Sequence, residues 1–150
     1  MSSLAPNLAL AAPSRRRRAP YAFNVGGREL DGIHVLVIDF DDHVLGAVRR
    51  MLEPFGAFVT TTTAARANAV TLIADVIVCD LELVEAAGSE FLEALRRKHT
   101  RRGRPAPALA FVTGGAAPGP RVQAAGFGDY VTKPIDSYAF RRAIPELARG

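Results

Sequence analysis

Four polar residues each lie at the end of a different apolar run of the chain, and together they could bind a phosphoryl group. Asp39, Asp80, Thr113 and Lys133 each close or follow such a run. The runs are rich in Val and Ile, which indicates strands buried on both faces, as in a parallel sheet. Parallel strands bring their carboxyl ends to one edge, so the four side chains should converge. Two carboxylates can hold Mg²⁺, and a hydroxyl and an ammonium can bind phosphoryl oxygens.

Five alternating strand and helix segments are predicted to position these residues. The strands are expected over 33–38, 57–61, 75–80, 108–112 and 128–132. The helices are expected over 42–52, 64–73, 89–98 and 120–125, with a last one from about 137 that Pro145 should end or kink. This alternation predicts an α/β fold with a five-stranded parallel doubly wound sheet in flavodoxin-like order 2-1-3-4-5.

The composition indicates one domain preceded by a basic tail. Apolar residues make up 49% of the 150 residues, and no apolar run is long enough to span a membrane. Cys79 is the one cysteine of the chain, so an intramolecular disulfide is excluded and a reduced, cytoplasmic setting is expected. Burial in an apolar run favours a core role for this thiol over a reactive one.

The basic charge of the chain is concentrated at its start. Residues 1–28 contain five arginines and no acid, whereas residues 29–150 contain the remaining 14 Lys+Arg and all 15 Asp+Glu. We therefore predict a disordered N-terminal tail over 1–28 and a folded domain over 29–150. The Arg15–Arg18 cluster could make weak contact with nucleic acid, although solvated arginines are the simpler interpretation. No membrane partner is expected.

From about Gly32 to Ala148 the sequence resembles the receiver domains of response regulators. The spacing from Asp80 to Gly88 matches the loop that follows the phosphorylated aspartate in that family. The string Asp129-Tyr130-Val131-Thr132-Lys133-Pro134 is similar to the family's fifth strand with its Lys-Pro pair. The resemblance also implies a cis bond between Lys133 and Pro134.

The resemblance implies a role for each candidate residue. Asp80 would accept the phosphoryl group, and Lys133 would bind it. Thr113 and Tyr130 would be the switch hydroxyl and the switch aromatic. Asp39, Asp80 and the backbone carbonyl of Glu82 would hold Mg²⁺, with Asp41 as a further candidate. Lys133 is expected to matter more for switching than for folding.

Three departures from the family pattern are visible. Receivers usually carry two adjacent acids after the first strand, but here Phe40 follows Asp39, so Mg²⁺ binding is expected to be weak. The usual Met-Pro after the phosphorylated aspartate is replaced by Leu83-Val84. The fourth helix is short and bounded by proline, which alters the surface through which receivers usually act on their targets.

Three functions are compatible with these residues. The first is a stand-alone receiver in a phosphorelay, without enzymatic turnover, which takes its phosphoryl group from a histidine kinase or phosphotransfer protein and acts on an unknown output protein. The second is a pseudo-receiver that binds proteins without phosphorylation. The third, a haloacid-dehalogenase-type phosphatase, is suggested by the Asp39-Phe40-Asp41 string, but few acids follow Lys133.

Overall fold

Five parallel strands form the centre of the fold. A computed structural model of the chain describes residues 27–115 and 117–150. The strands are β1 (His34–Ile38), β2 (Phe58–Thr62), β3 (Val76–Asp80), β4 (Ala108–Thr113) and β5 (Asp129–Lys133). They pair in the order β2-β1-β3-β4-β5, and all pairs are parallel. The predicted sheet and its order are confirmed.

Helices cover both faces of this sheet. They are α1 (Asp42–Leu52), α2 (Leu81–Ala87), α3 (Ser89–Lys98), α4 (Gly119–Ala125) and α5 (Ser137–Arg149), with short 3-10 helices at Glu53–Phe55 and Ala64–Ala69. None of the described helices is both long and apolar enough to cross a lipid bilayer. The predictions for residues 1–26, including Arg15–Arg18, lie outside the described part of the chain.

Alternate side chains of the central strands enter two separate cores. Val76 and Val78 of β3 pack with α1 and α5, whereas Ile77 and Cys79 pack with the helices of the opposite face. Strands β1 and β3 are buried along their whole length. This two-sided burial explains their continuous apolar sequence, because a parallel strand in a doubly wound sheet has no solvent face.

Two predicted segments differ from the structure. The helix expected over 64–73 is only a 3-10 helix that ends at Ala69, and Ala67 is its single buried residue. Alanine favours helix but gives little apolar surface to pack on the sheet, so a longer helix gains little stability. The segment after Asp80, expected to be a loop, is the helix α2, which buries Leu81 and Val84.

Pro145 lies inside α5 and does not end it. The helix runs from Ser137 to Arg149, and it buries Phe140 and Ile144 against the sheet. This burial outweighs the cost of a proline in a helix interior, which removes one backbone hydrogen bond.

We therefore expect Pro145→Ala to stabilise the protein. The substitution restores an amide N–H that can donate to the carbonyl four residues earlier. The free energy of unfolding is expected to rise by about 1–2 kcal/mol. This is less than the full difference in helix propensity between proline and alanine, because the substitution also raises the conformational entropy of the unfolded chain. Urea unfolding monitored by circular dichroism measures this. A less stable variant would show that the proline ring makes packing contacts worth more than the hydrogen bond.

Candidate functional site

Three charged residues meet at the carboxyl edge of the sheet. Asp39 directly follows β1, Asp80 is the last residue of β3, and Lys133 is the last residue of β5. The Lys133 Nζ lies 3.0 Å from Asp80 Oδ1 and 3.1 Å from Asp39 Oδ2. The two carboxylate side chains are almost fully buried, with 0% of Asp39 and 3% of Asp80 exposed. The ammonium therefore bridges two carboxylates that have almost no contact with water.

Backbone amides hold the other two carboxylate oxygens. Asp39 Oδ1 accepts from the Asp41 N–H at 3.0 Å. Asp80 Oδ2 accepts from the Leu83 N–H at 3.1 Å, so Asp80 is the N-cap of α2. Each of the four oxygens thus has a hydrogen-bond donor, which fixes the orientation of both carboxylates.

Lys133 is held in its charged form. Partial burial lowers the pKa of its ammonium, but the hydrogen bonds to Asp80 and Asp39 outweigh that effect, and the net pKa is raised. The rings of Phe40 and Phe111 each lie 5.9 Å from Nζ, at the limit of a cation–π contact. The site therefore contains one positive and two negative charges.

Thr113 and Tyr130 lie on the strands beside this cluster. Thr113 is the exposed last residue of β4, and it is the register partner of Lys133 on β5. Tyr130 is partly buried and packs on the core that contains α2, α3 and α4. The Lys133–Pro134 bond is cis, as the resemblance implied. The hydroxyl and the ammonium thus belong to residues at adjacent strand ends, on the edge of the sheet that carries Asp80.

Two of the candidate metal ligands are directed elsewhere. Glu82 lies in the first turn of α2, where helix geometry points its carbonyl toward the C-terminus of the helix and away from Asp80. Asp41 is exposed, and its Oδ1 accepts from the His43 N–H at 2.9 Å as the N-cap of α1. The direction of the Glu82 carbonyl differs from the expectation because the segment after Asp80, expected to be a loop, is helical.

The donor set offers few protein ligands for Mg²⁺. Among the described residues, no three side chains of His, Cys, Asp or Glu are grouped so that they could hold a metal ion. Mg²⁺ can, however, keep most of its water and bind through one or two carboxylates. Asp39 and Asp80 are the residues that would hold it here. Phe40, which is 70% exposed, stands where the family resemblance implies a further acid.

Helix α2 carries an apolar surface next to the site. A shallow groove of about 440 Å³ is lined by one charged residue and five apolar ones, namely Glu82, Phe40, Ala64, Leu83, Ala86 and Ala87. Arg121 of α4 donates two hydrogen bonds to Glu85 of α2, at 2.9 and 2.7 Å, and this contact lowers the pKa of Glu85. The helix that Asp80 caps is thereby linked to α4 by hydrogen bonds.

Cys79 belongs to the core. It is fully buried in β3, and burial together with the nearby carboxylates of Asp80 and Asp39 raises the pKa of its thiol. A thiol that stays protonated is a poor nucleophile, which agrees with the predicted core role.

Comparison with known proteins identifies one family. The family model of the response regulator receiver domain matches residues 35–145. The chain is 32% identical over 118 residues to an uncharacterized 14.6 kDa protein from the sodA1 3′ region of Leptolyngbya boryana, across 75% of this chain and 87% of the relative.

Solved structures share the fold. A response regulator receiver protein from Burkholderia phymatum is 26% identical with a TM-score of 0.60, over 78% of this chain and 95% of that one. The receiver domain of Ssk1 from Saccharomyces cerevisiae, solved together with the phosphotransfer protein Ypd1, is 17% identical with a TM-score of 0.63, over 81% of this chain and 92% of the matched chain.

Proposed function

Because the chain belongs to the response regulator receiver domain family, we propose that it works in two-component signalling by accepting a phosphoryl group on Asp80. The observation that carries this proposal is the bridge of Lys133 between Asp80 and Asp39 at the carboxyl edge of the sheet. A buried carboxylate beside a fixed ammonium is a nucleophile next to a binding group for phosphoryl oxygens.

The transfer is a displacement at phosphorus. One oxygen of Asp80 attacks the phosphorus of a phosphohistidine, the P–N bond breaks, and its electron pair returns to the imidazole nitrogen of the donor. The product is an acyl phosphate on Asp80. Lys133 then pairs with a phosphoryl oxygen instead of the free carboxylate, and the Thr113 hydroxyl donates to another.

Mg²⁺, bound by Asp39 and Asp80, would shield the negative charge of the phosphoryl oxygens during transfer. We propose that this binding is weak, since Phe40 gives no oxygen ligand and Asp41 caps α1. Slow labelling that needs high Mg²⁺ concentrations follows from these two features.

The proposed donor is a histidine kinase or a histidine phosphotransfer protein in the cytoplasm. Ssk1, whose receiver domain has a similar fold, forms a complex with the phosphotransfer protein Ypd1. We propose that output occurs by contact with a further protein, and that the chain does not turn over a substrate as an enzyme. Steady hydrolysis of an aryl phosphate would contradict that part of the proposal and favour the phosphatase interpretation.

Phosphoryl incorporation from a small donor tests the function. Wild type and Asp80→Asn are incubated with acetyl phosphate and Mg²⁺, and the labelled fraction is measured by intact mass. Asparagine retains the N-cap of α2, so the variant should fold normally. Label on wild type and none on Asp80→Asn supports the proposal. Label on neither protein contradicts it.

A phosphorylation-independent binding module is the second candidate. It is favoured by the exposed Phe40 ring and by the apolar groove along Leu83, Ala86 and Ala87. Solvent-exposed apolar surface of this kind marks contact sites on proteins. Absence of label, together with partner binding that survives Asp80→Asn, would select this function.

A further inference from the structure

A second cavity lies at the edge of the sheet opposite to Asp80. It has a volume of about 540 Å³, within the range of small-molecule sites. Segments that lead into three strands form its walls, at Gly32 before β1, Asp75 before β3 and Pro107 before β4, and the end of α5 closes it. None of the groups assigned to phosphoryl transfer at Asp80 lines this cavity.

The cavity is strongly basic. Its charged lining consists of the carboxylate of Asp75 and four guanidinium groups, from Arg101, Arg102, Arg104 and Arg149. Helices α3 and α5 point their carboxyl ends toward it, and each end carries about half a negative charge. A positive excess remains after both helix ends and Asp75 are counted.

Two of these arginines have internal partners and two do not. Arg101 Nε contacts Asp75 Oδ1 at 2.8 Å, and Arg104 donates to the carbonyl of Gly150. Arg102 and Arg149 have neither an ion pair nor a side-chain hydrogen bond within residues 27–115 and 117–150. Their charges are therefore available for an anion from solution.

One of the unpaired arginines is held in a strained turn. Arg101 and Arg104 exchange backbone hydrogen bonds of 2.9 and 3.1 Å around Arg102 and Gly103. The φ angles of Arg102 and Gly103 are 57° and 77°, which defines a hairpin turn that normally carries Asn-Gly. Arginine fits this backbone poorly. Strain of this kind is found where a side chain has a function at that position.

A buried histidine in the cavity wall has an unsatisfied donor. His99 lines the cavity and is 1% exposed. Burial lowers the pKa of its imidazole, and the charges of Lys98 and His34 lower it further. Its Nδ1 accepts from the Ala74 N–H at 2.9 Å, so the neutral ring carries its proton on Nε2. That Nε2 has no hydrogen-bond partner among the described residues, and a buried donor without an acceptor is costly.

We propose that this cavity binds a small anion with several phosphoryl groups, such as the polyphosphate part of a nucleotide. Unpaired guanidinium groups are donors that match phosphoryl oxygens. Apart from His99, the uncharged lining that the described residues provide has no aromatic ring for a base, so recognition rests on the phosphates. The volume of about 540 Å³ fits a small anion better than a nucleic acid. The proposal is independent of phosphorylation at Asp80.

Calorimetric titration of the full chain with inorganic tripolyphosphate in Mg²⁺-free buffer tests this site. We expect saturable binding that Arg102→Asn weakens about tenfold, equivalent to about 1.4 kcal/mol. Asn-Gly is the preferred sequence for this turn, so the variant should be at least as stable as wild type, and misfolding cannot explain the loss. Arg66→Gln is the matched control, since Arg66 is exposed and does not line the cavity.

Amide chemical shifts locate the bound anion. Shifts at Ala74, His99 and Arg104 on addition of tripolyphosphate would support the proposal. Shifts confined to Thr113 and Lys133 would overturn it, because the anion would then bind at the opposite edge. The proposal would also be overturned if no saturable binding occurred at millimolar tripolyphosphate, or if Arg102→Asn and Arg66→Gln lost equal affinity for it. Displacement of tripolyphosphate by a short single-stranded oligonucleotide would overturn it too, because that result would assign the surface to nucleic acid.

Discussion

Replacing Phe40 with aspartate is expected to raise the affinity of the carboxylate site for Mg²⁺ about thirtyfold. The Phe40 ring lies 5.9 Å from the Lys133 ammonium, so a side chain at this position borders the site. In wild type the two carboxylates and the ammonium leave a net charge of about one negative unit. A further carboxylate about 4 Å from a divalent ion contributes about 2 kcal/mol even at the dielectric constant of water.

Labelling of Asp80 should increase together with Mg²⁺ affinity. Phe40→Asp is expected to accept phosphate from acetyl phosphate faster than wild type, and to reach half of its maximal rate at a lower Mg²⁺ concentration. Calorimetric Mg²⁺ titration and the initial rate of phosphoryl incorporation measure the two effects. The double variant Phe40→Asp, Asp80→Asn should not label at all.

A matched control separates the new charge from the loss of the ring. Phe40→Asn removes the phenyl group and has the shape of aspartate without its charge, so it should bind Mg²⁺ nearly as weakly as wild type. Asp41→Ala in the wild-type background should leave Mg²⁺ affinity unchanged, because Asp41 caps α1. Wild type and Phe40→Asp could instead bind Mg²⁺ equally well while Asp41→Ala binds it more weakly. That result would show that the Asp41 side chain leaves the N-cap of α1 to bind the ion.

The sequence was sufficient to predict the sheet, because its central strands are buried on both faces. The run from Val76 to Asp80 has no solvent-facing position, and all five of its residues are buried. A continuous apolar run can therefore be recognised without knowing what covers it. The order of the strands follows from the βαβ connections, which leave few topologies open.

The helices were harder to predict because their signals are weaker. The alanine-rich segment at 64–73 has a high helix propensity, but packing decides whether a helix forms, and only Ala67 is buried there. In the segment after Asp80, Leu81 and Val84 are spaced as one helical turn. That spacing could have predicted α2, and with it the position of the Glu82 carbonyl.

The polar contacts of the site depend on burial, which the sequence does not give. The convergence of Asp39, Asp80 and Lys133 was predicted from the strand ends. The distances between these three residues and the nearly complete burial of both carboxylates were not predicted. The basic cavity was missed for a related reason, since the turn at 101–104 and His99 are brought to one place only by the packing of α3 and α5.

Lys133→Ala is expected to destabilise the protein by about 3–5 kcal/mol, because it leaves two buried carboxylates without their shared ammonium. This revises the expectation that Lys133 matters more for switching than for folding. Lys98→Ala is the matched control: it removes the one other lysine of the chain, which is exposed, and should cost less than about 1 kcal/mol. Denaturant unfolding in Mg²⁺-free buffer measures both.

A double variant identifies the cause of the loss. Adding Asp80→Asn to Lys133→Ala removes one of the two like charges and keeps the N-cap of α2, so the double variant should regain most of the lost stability. A loss of stability that Asp80→Asn does not rescue would assign the effect to lost packing of the lysine side chain instead.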